Sequence, residues 1–158
     1  LLKQFLFKKT INKSDFNFIL KNFDFKKSAK KNKKIDLIIY YRKHKNKEIF
    51  FPYNLIKKLI KLNFKIYILG DKLNLPNVKN LGHISNKKVK IFQSQAKFTI
   101  ASGENLYSFF ILECITNHVK IIVEKNIIEP IDLLKKNFIK LDYNSLYQIK
   151  KLKQKIKN

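Results

Sequence analysis

From Lys34 onward, short β-branched apolar runs return along this chain at regular intervals. They are "IDLIIYY" (35–41), "KIYILG" (65–70), a short one inside "NVKNLGHI" (77–84), "KFTIAS" (97–102), "KIIVE" (120–124) and "FIKLDY" (138–143). Continuous apolar runs of this length, without strict polar alternation, mark strands buried on both faces. Between them lie stretches with helical spacing: "PYNLIKKLIKLNF" (52–64), "SNKKVKIFQSQA" (85–96), "NLYSFFILECITNH" (105–118) and "SLYQIKKLKQKIK" (145–157). Pro52 suits a first helical turn, and Leu55, Ile56, Leu59 and Ile60 share one face. Ser85 or Asn86 fits as the cap of the second helix, and Asn105 or Ser108 as that of the third. Leu146, Ile149, Leu152 and Ile156 line one side of the last helix. Strands alternating with helices predict an α/β fold: a Rossmann-like, doubly wound parallel sheet of about six strands. That domain is expected over 34–158. Residues 1–33 read as a linker or the tail of a missing N-terminal domain, and the chain as the C-terminal part of a longer protein.

Several function classes are disfavoured at once. The longest apolar run is far shorter than the ~20 residues of a membrane span, and "LLKQFLFKKT" lacks the h-region and cleavage site of a signal peptide. Cys114 is the single cysteine, so no disulfide and no cysteine-based zinc site is expected, and a cytoplasmic setting fits. The formal charge of +24 suggests an anionic partner, yet only one of the 35 basic residues is arginine, Arg42. Arginine is the residue that forks onto phosphate and guanine. A coat of lysine with abundant Asn and Ile reads first as coding bias, with nucleic acid an unfavoured partner. Its densest run, "KKSAKKNKK" (26–34), reads as a linker or exposed edge.

In a doubly wound sheet, ligands bind beyond the carboxyl ends of the strands. The rare residues fall there. Arg42 follows the first strand, Gly70 ends the second, Gly82 ends the third and Gly103 follows the fourth; these are the only arginine and the only three glycines in the chain. Glycine lets the backbone turn tightly and approach a ligand. Arg42 and Lys47 share a loop and together can clasp a diphosphate, one as a bidentate fork and one as a point charge.

No G-x-G-x-x-G follows the first strand and no G-x-x-x-x-G-K-[ST] occurs, which disfavours dinucleotide and P-loop chemistry. His44, His83 and His118 share no metal-ligand spacing, so no metal site is expected. In "SGENLYSFFILE" two carboxylates stand nine residues apart, Glu104 and Glu113. Glu104 can serve as a first-turn helix acid. Glu113, flanked by "FFIL" and "CI", is costly unless hydrogen-bonded, and sugar hydroxyls are suitable donors. Nine steps of ~100° put the two on opposite faces of one helix. They serve one ligand only if Glu104 lies in the loop and the helix starts after it.

Taken in order, "R-x4-K", "IYILGD", "NVKNLGHISNKKVKIFQSQAKFTIAS" and the Glu104–Glu113 segment resemble the C-terminal, donor-binding domain of the group 1 family of GT-B-fold glycosyltransferases. The resemblance implies an enzyme that moves a sugar from a nucleotide-sugar donor to a glycan or lipid-linked acceptor in cell-surface polysaccharide biosynthesis. It implies no cofactor beyond that co-substrate. It puts Arg42 and Lys47 on the donor diphosphate, and Glu104 with Asn105 and Leu106 at the donor sugar as the catalytic region. Glu113 falls on the ribose, and Gly82, His83 and Ile84 near the base, with Gly70 and Gly103 at the same edge. The chain departs from the family in its Glu-x8-Glu spacing and in "NLYSFFIL" between the glutamates. A donor-binding half without its acceptor domain should bind but not turn over.

A non-enzymatic reading stands beside this one: a lysine-rich Rossmann-like module that binds nucleic acid or an anionic membrane. A peripheral site at the inner membrane face is compatible with either. A sugar-nucleotide epimerase would need a set of catalytic acids and a histidine that is not visible here.

Overall fold

A computed structural model describes residues 33–102, 106, 108–127 and 136–157. The order is β1 (Ile35–Tyr41), α1 (Lys45–Glu48), α2 (Tyr53–Lys61), β2 (Ile66–Gly70), β3 (Val78–Gly82), α3 (Asn86–Gln95), β4 (Ala96–Ile100), α4 (Phe109–Thr116), β5 (Lys120–Glu124), β6 (Phe138–Leu141) and α5 (Leu146–Lys157). The six strands form one sheet in the order β3-β2-β1-β4-β5-β6, and every pairing is parallel. This is the doubly wound, Rossmann-like architecture expected from the alternation of runs. The order reverses between β1 and β4.

β1 is the middle of the molecule. Ile35 and Ile38 join a core cluster with Ala96, Ile111, Leu112, Cys114, Ile115 and Ile121. Leu37, Ile39 and Tyr41 join the other cluster with Leu55, Ile56, Leu59, Ile149 and Leu152. One strand thus feeds two cores, with α3 and α4 on one face and α2 and α5 on the other. Each fully buried Ile or Leu contributes roughly 1.5–3 kcal/mol relative to exposure. The expected strand and helix positions match within a few residues, with two differences. The third helix begins only at Phe109, because Ser108 caps it and accepts from the Ile111 amide at 3.4 Å. The segment after β1, expected to be loop throughout, contains the one-turn helix α1.

Lys33 also departs from the expected solvated lysine run. It is half-buried, and its Nζ donates to the carbonyls of Asn117 and His118, at 3.1 and 2.6 Å, where α4 ends. Burial lowers its pKa to about 8. The cation thereby satisfies carbonyls that the end of α4 leaves unpaired. The rest of 1–33 lies outside the described residues. Among the described residues no helix is long and apolar enough to cross a membrane.

Two glycines shape the carboxyl edge by their conformation. Gly70 has φ +86° and Gly82 φ +71°. A Cβ on Gly70 would collide with the Tyr41 carbonyl oxygen, whereas one on Gly82 would meet open space. Gly70→Ala is therefore expected to cost about 2–3 kcal/mol, the sum of left-handed strain and collision, and Gly82→Ala only about 1 kcal/mol. Urea denaturation of the two variants checks this; equal losses would contradict it.

Candidate functional site

Three strand ends are stitched together at the carboxyl edge. Where β2 leaves the sheet, the Asp71 amide donates to the Tyr41 carbonyl at 3.0 Å. Its carboxylate turns back: Oδ2 accepts from the Lys43 amide at 2.8 Å, and Oδ1 meets His83 Nε2 at 3.0 Å. β1, β2 and β3 thus end on one carboxylate, and Gly70 supplies the turn that lets it reach them. The Lys43 amide and then the His83 contact hold the Asp71 carboxyl below its usual range, with Arg42 adding a smaller favourable charge. Arg42 follows β1, exposed, next to the point where the sheet order reverses.

Lys47 stands exposed on α1. The neighbouring Glu48 fixes that turn. Its Oε1 accepts from the Tyr41 hydroxyl at 2.8 Å and from the Tyr53 hydroxyl at 3.4 Å, and the two hydroxyls lie 2.9 Å apart. Burial, then hydrogen bonding to Tyr53 and Glu48, pushes the Tyr41 phenol well above its ordinary pKa. The turn that carries Lys47 is tied to the core beneath β1 by these phenols.

The edge near β4 is described in part. Gly103, Glu104 and Asn105 lie outside the described residues. Leu106 is buried among Ala101, Ile111 and Leu112. That makes it a core residue; an amide contact to a ligand remains open to it only through its backbone. Glu113 sits half-buried one turn into α4, and Oε2 accepts from Gln93 Nε2 at 3.3 Å. The same Nε2 lies 3.4 Å from the Phe110 carbonyl. Gln93 is fully buried, and its Oε1 has no hydrogen-bond partner among the described residues. Glu113 is therefore directed to the α3–α4 seam rather than to open solvent. Among the described residues no hydrogen bond or ion pair joins it to Arg42.

The structure brings Arg42, Gly70, Gly82, His83 and Ile84 to one edge, with Lys47 anchored one short helix away. Asp71 was missed by reading the sequence, although it stands in the quoted "IYILGD". An acid directly after a strand-ending glycine was the available signal. Gln93 gave none, since a glutamine in a helix is unremarkable until its burial is seen. No described group of three or more His, Cys, Asp and Glu residues is placed to hold a metal ion.

No protein-family model and no curated protein matches the chain. Among solved structures it is similar to E. coli heptosyltransferase WaaC with ADP, at 14% identity and a TM-score of 0.49, covering 82% of this chain and 46% of that one. The same enzyme with ADP-2-deoxy-2-fluoro heptose aligns at 13% identity and a TM-score of 0.49, over 84% of this chain and 46% of that one. The chain thus spans about half the length of these structures.

The Asp71 clasp has a pH signature. A carboxyl held low in the folded state stabilises above its unfolded pKa of about 3.9 and loses that contribution as pH falls through the lower folded value. Wild type and Asp71→Asn should therefore differ in melting temperature at pH 7 and converge at the acid end of the folded range. A difference independent of pH would contradict the clasp.

Proposed function

We propose that this chain is the donor-binding half of a nucleotide-sugar-dependent glycosyltransferase. The observation that carries the reading is the position of the single arginine. Arg42 directly follows β1, where the sheet order reverses, beside a strand edge with two positive-φ glycines. In doubly wound sheets that place is the ligand crevice. A guanidinium there is suited to a diphosphate, because two parallel N–H groups match two phosphate oxygens. Lys47 supplies a second cation, and the first amides of α4 offer a partial positive charge for the same anion.

On this reading the base lies against Gly82, His83 and Ile84, Glu113 takes the ribose hydroxyls, and Glu104 approaches the transferred sugar. Arg42 and Lys47 hold the diphosphate and stabilise the charge that develops as the nucleoside diphosphate leaves. The donor is a hexose-type sugar nucleotide, and the acceptor is a glycan or lipid-linked saccharide of a cell-surface polysaccharide, met on the cytoplasmic side. Transfer needs an acceptor-binding partner domain, so this half alone binds donor without turning it over. The charge distribution favours this reading over a nucleic-acid module. Exposed lysines occur on both layers, Lys57 and Lys61 on α2, Lys87, Lys88 and Lys90 on α3, and Lys150 and Lys151 on α5. They form no single basic face.

Isothermal titration against UDP-, GDP-, ADP-, CMP- and TDP-sugars tests the reading. One donor is expected to bind, and Arg42→Ala to weaken it about 10–100-fold, the loss of charged hydrogen bonds worth about 1.5–3 kcal/mol. Lys87→Ala on the far helix should leave affinity unchanged. Absence of binding across the panel, or indifference to Arg42→Ala, would overturn it.

A further inference from the structure

The exposed large apolar side chains are not scattered. Among the described residues, apart from Ile91 on α3, they lie toward the carboxyl end of the sheet: Tyr40, Ile49, Phe50, Phe109, Leu146 and Tyr147. Four of them form two chain-adjacent pairs, Ile49–Phe50 and Leu146–Tyr147. Ile49 is 77% exposed, Phe50 54%, Leu146 49% and Tyr147 66%. Ile49 lines a groove of about 350 Å³ together with Glu48, Phe51, Tyr143 and Asn144, and Phe50 follows Ile49 in the chain. α5 begins two residues past Asn144 with Leu146 and Tyr147. Lys58 Nζ donates to the Tyr143 carbonyl at 2.7 Å and fastens α2 to that wall.

The charges around this patch are of one sign. Lys57 is exposed on α2, Lys150 and Lys151 on α5, and Lys151 Nζ lies 4.7 Å from the Tyr147 ring centroid. α2 and α5 contain no acidic residue. The acids nearby are engaged: Glu48 by the Tyr41 and Tyr53 hydroxyls, Asp142 by Lys125 at 2.6 Å. Single exposed apolar residues are ordinary, but two exposed apolar pairs flanking one groove, with lysines and no free acid beside them, have the composition of a membrane-interface surface. Nucleic acid would use the lysines and leave Ile49 and Leu146 in water. A bilayer uses both: the apolar tips enter the headgroup–acyl boundary, and the lysine stems reach up to anionic headgroups.

We propose that Ile49, Phe50, Leu146 and Tyr147, with Lys57, Lys150 and Lys151 around them, form a surface that seats on an anionic lipid bilayer. The patch lies on the α2–α5 layer at the edge that carries Arg42, so a bilayer-seated chain holds that edge close to the membrane. The seat does not depend on donor binding, and either can fail without the other.

Co-sedimentation of the full chain with phosphatidylcholine vesicles, with and without about one-third phosphatidylserine, tests this at about 0.15 M salt. Wild type is expected to sediment with the anionic vesicles and not with the neutral ones. Replacing Ile49, Phe50, Leu146 and Tyr147 by Ser should lower partitioning at least about 10-fold. The melting temperature and any nucleotide-sugar affinity should stay unchanged. Should the quadruple variant unfold, the pairs Ile49→Ser/Phe50→Ser and Leu146→Ser/Tyr147→Ser are each expected to give a partial loss. Lys87→Gln/Lys88→Gln/Lys90→Gln, on the opposite layer, should cost much less. Wild-type partitioning by the apolar variants, an equal loss in the α3 lysine variant, or no sedimentation of wild type would overturn the proposal. So would competition by single-stranded RNA that binds wild type and apolar variant alike.

Discussion

Burial of β1 on both faces is the constraint on which the rest depends. Ile38 feeds one core and its neighbours Leu37 and Ile39, with Tyr41, feed the other, and the strand's backbone pairs with β2 on one side and β4 on the other. A slip of one residue would exchange the two sets of side chains between the cores. Register is therefore fixed at the centre and passed outward through parallel ladders. The position of Arg42 follows directly. It is the first residue past a strand that cannot move, at the place where the sheet order reverses.

The same constraint explains why one carboxylate can organise the edge. Parallel strands end together, so Asp71 needs only the turn at Gly70 to reach both the Lys43 amide and His83. The clasp is exposed and individually weak. It holds geometry because the strands beneath it are rigid, not because it contributes much stability. Glu48 does the corresponding task for α1, with two phenols rising from beneath β1 and α2.

The architecture was legible because burial writes itself into sequence. "IDLIIYY" became β1 over the predicted residues, and the helices appeared where the apolar period changed. α1 was not legible, since "KNKE" has no apolar periodicity and forms only with Glu48 held from below. The start of α4 was half legible: Asn105 and Ser108 carried the same capping signal, and Ser108 is the residue that caps the helix. The arrangement of the carboxyl edge was readable where it rests on rare residues, Arg42, Gly70 and Gly82. It was unreadable where it rests on pairs distant in sequence. Asp71 with His83 and Gln93 with Glu113 are twelve and twenty residues apart, and no spacing rule joins them. Glu104, with Gly103 and Asn105, lies outside the described residues.

The central claim is that a nucleotide sugar lies across the carboxyl ends of β1 to β4. Amide chemical-shift mapping during titration with the tightest-binding sugar nucleotide tests it most directly. The account predicts the largest shifts at Arg42, Lys43, Asp71, His83, Ile84 and the first amides of α4, with the amino ends of the strands unmoved. Shifts confined to the α2–α5 layer or to the amino edge, or none at saturating donor, would contradict it.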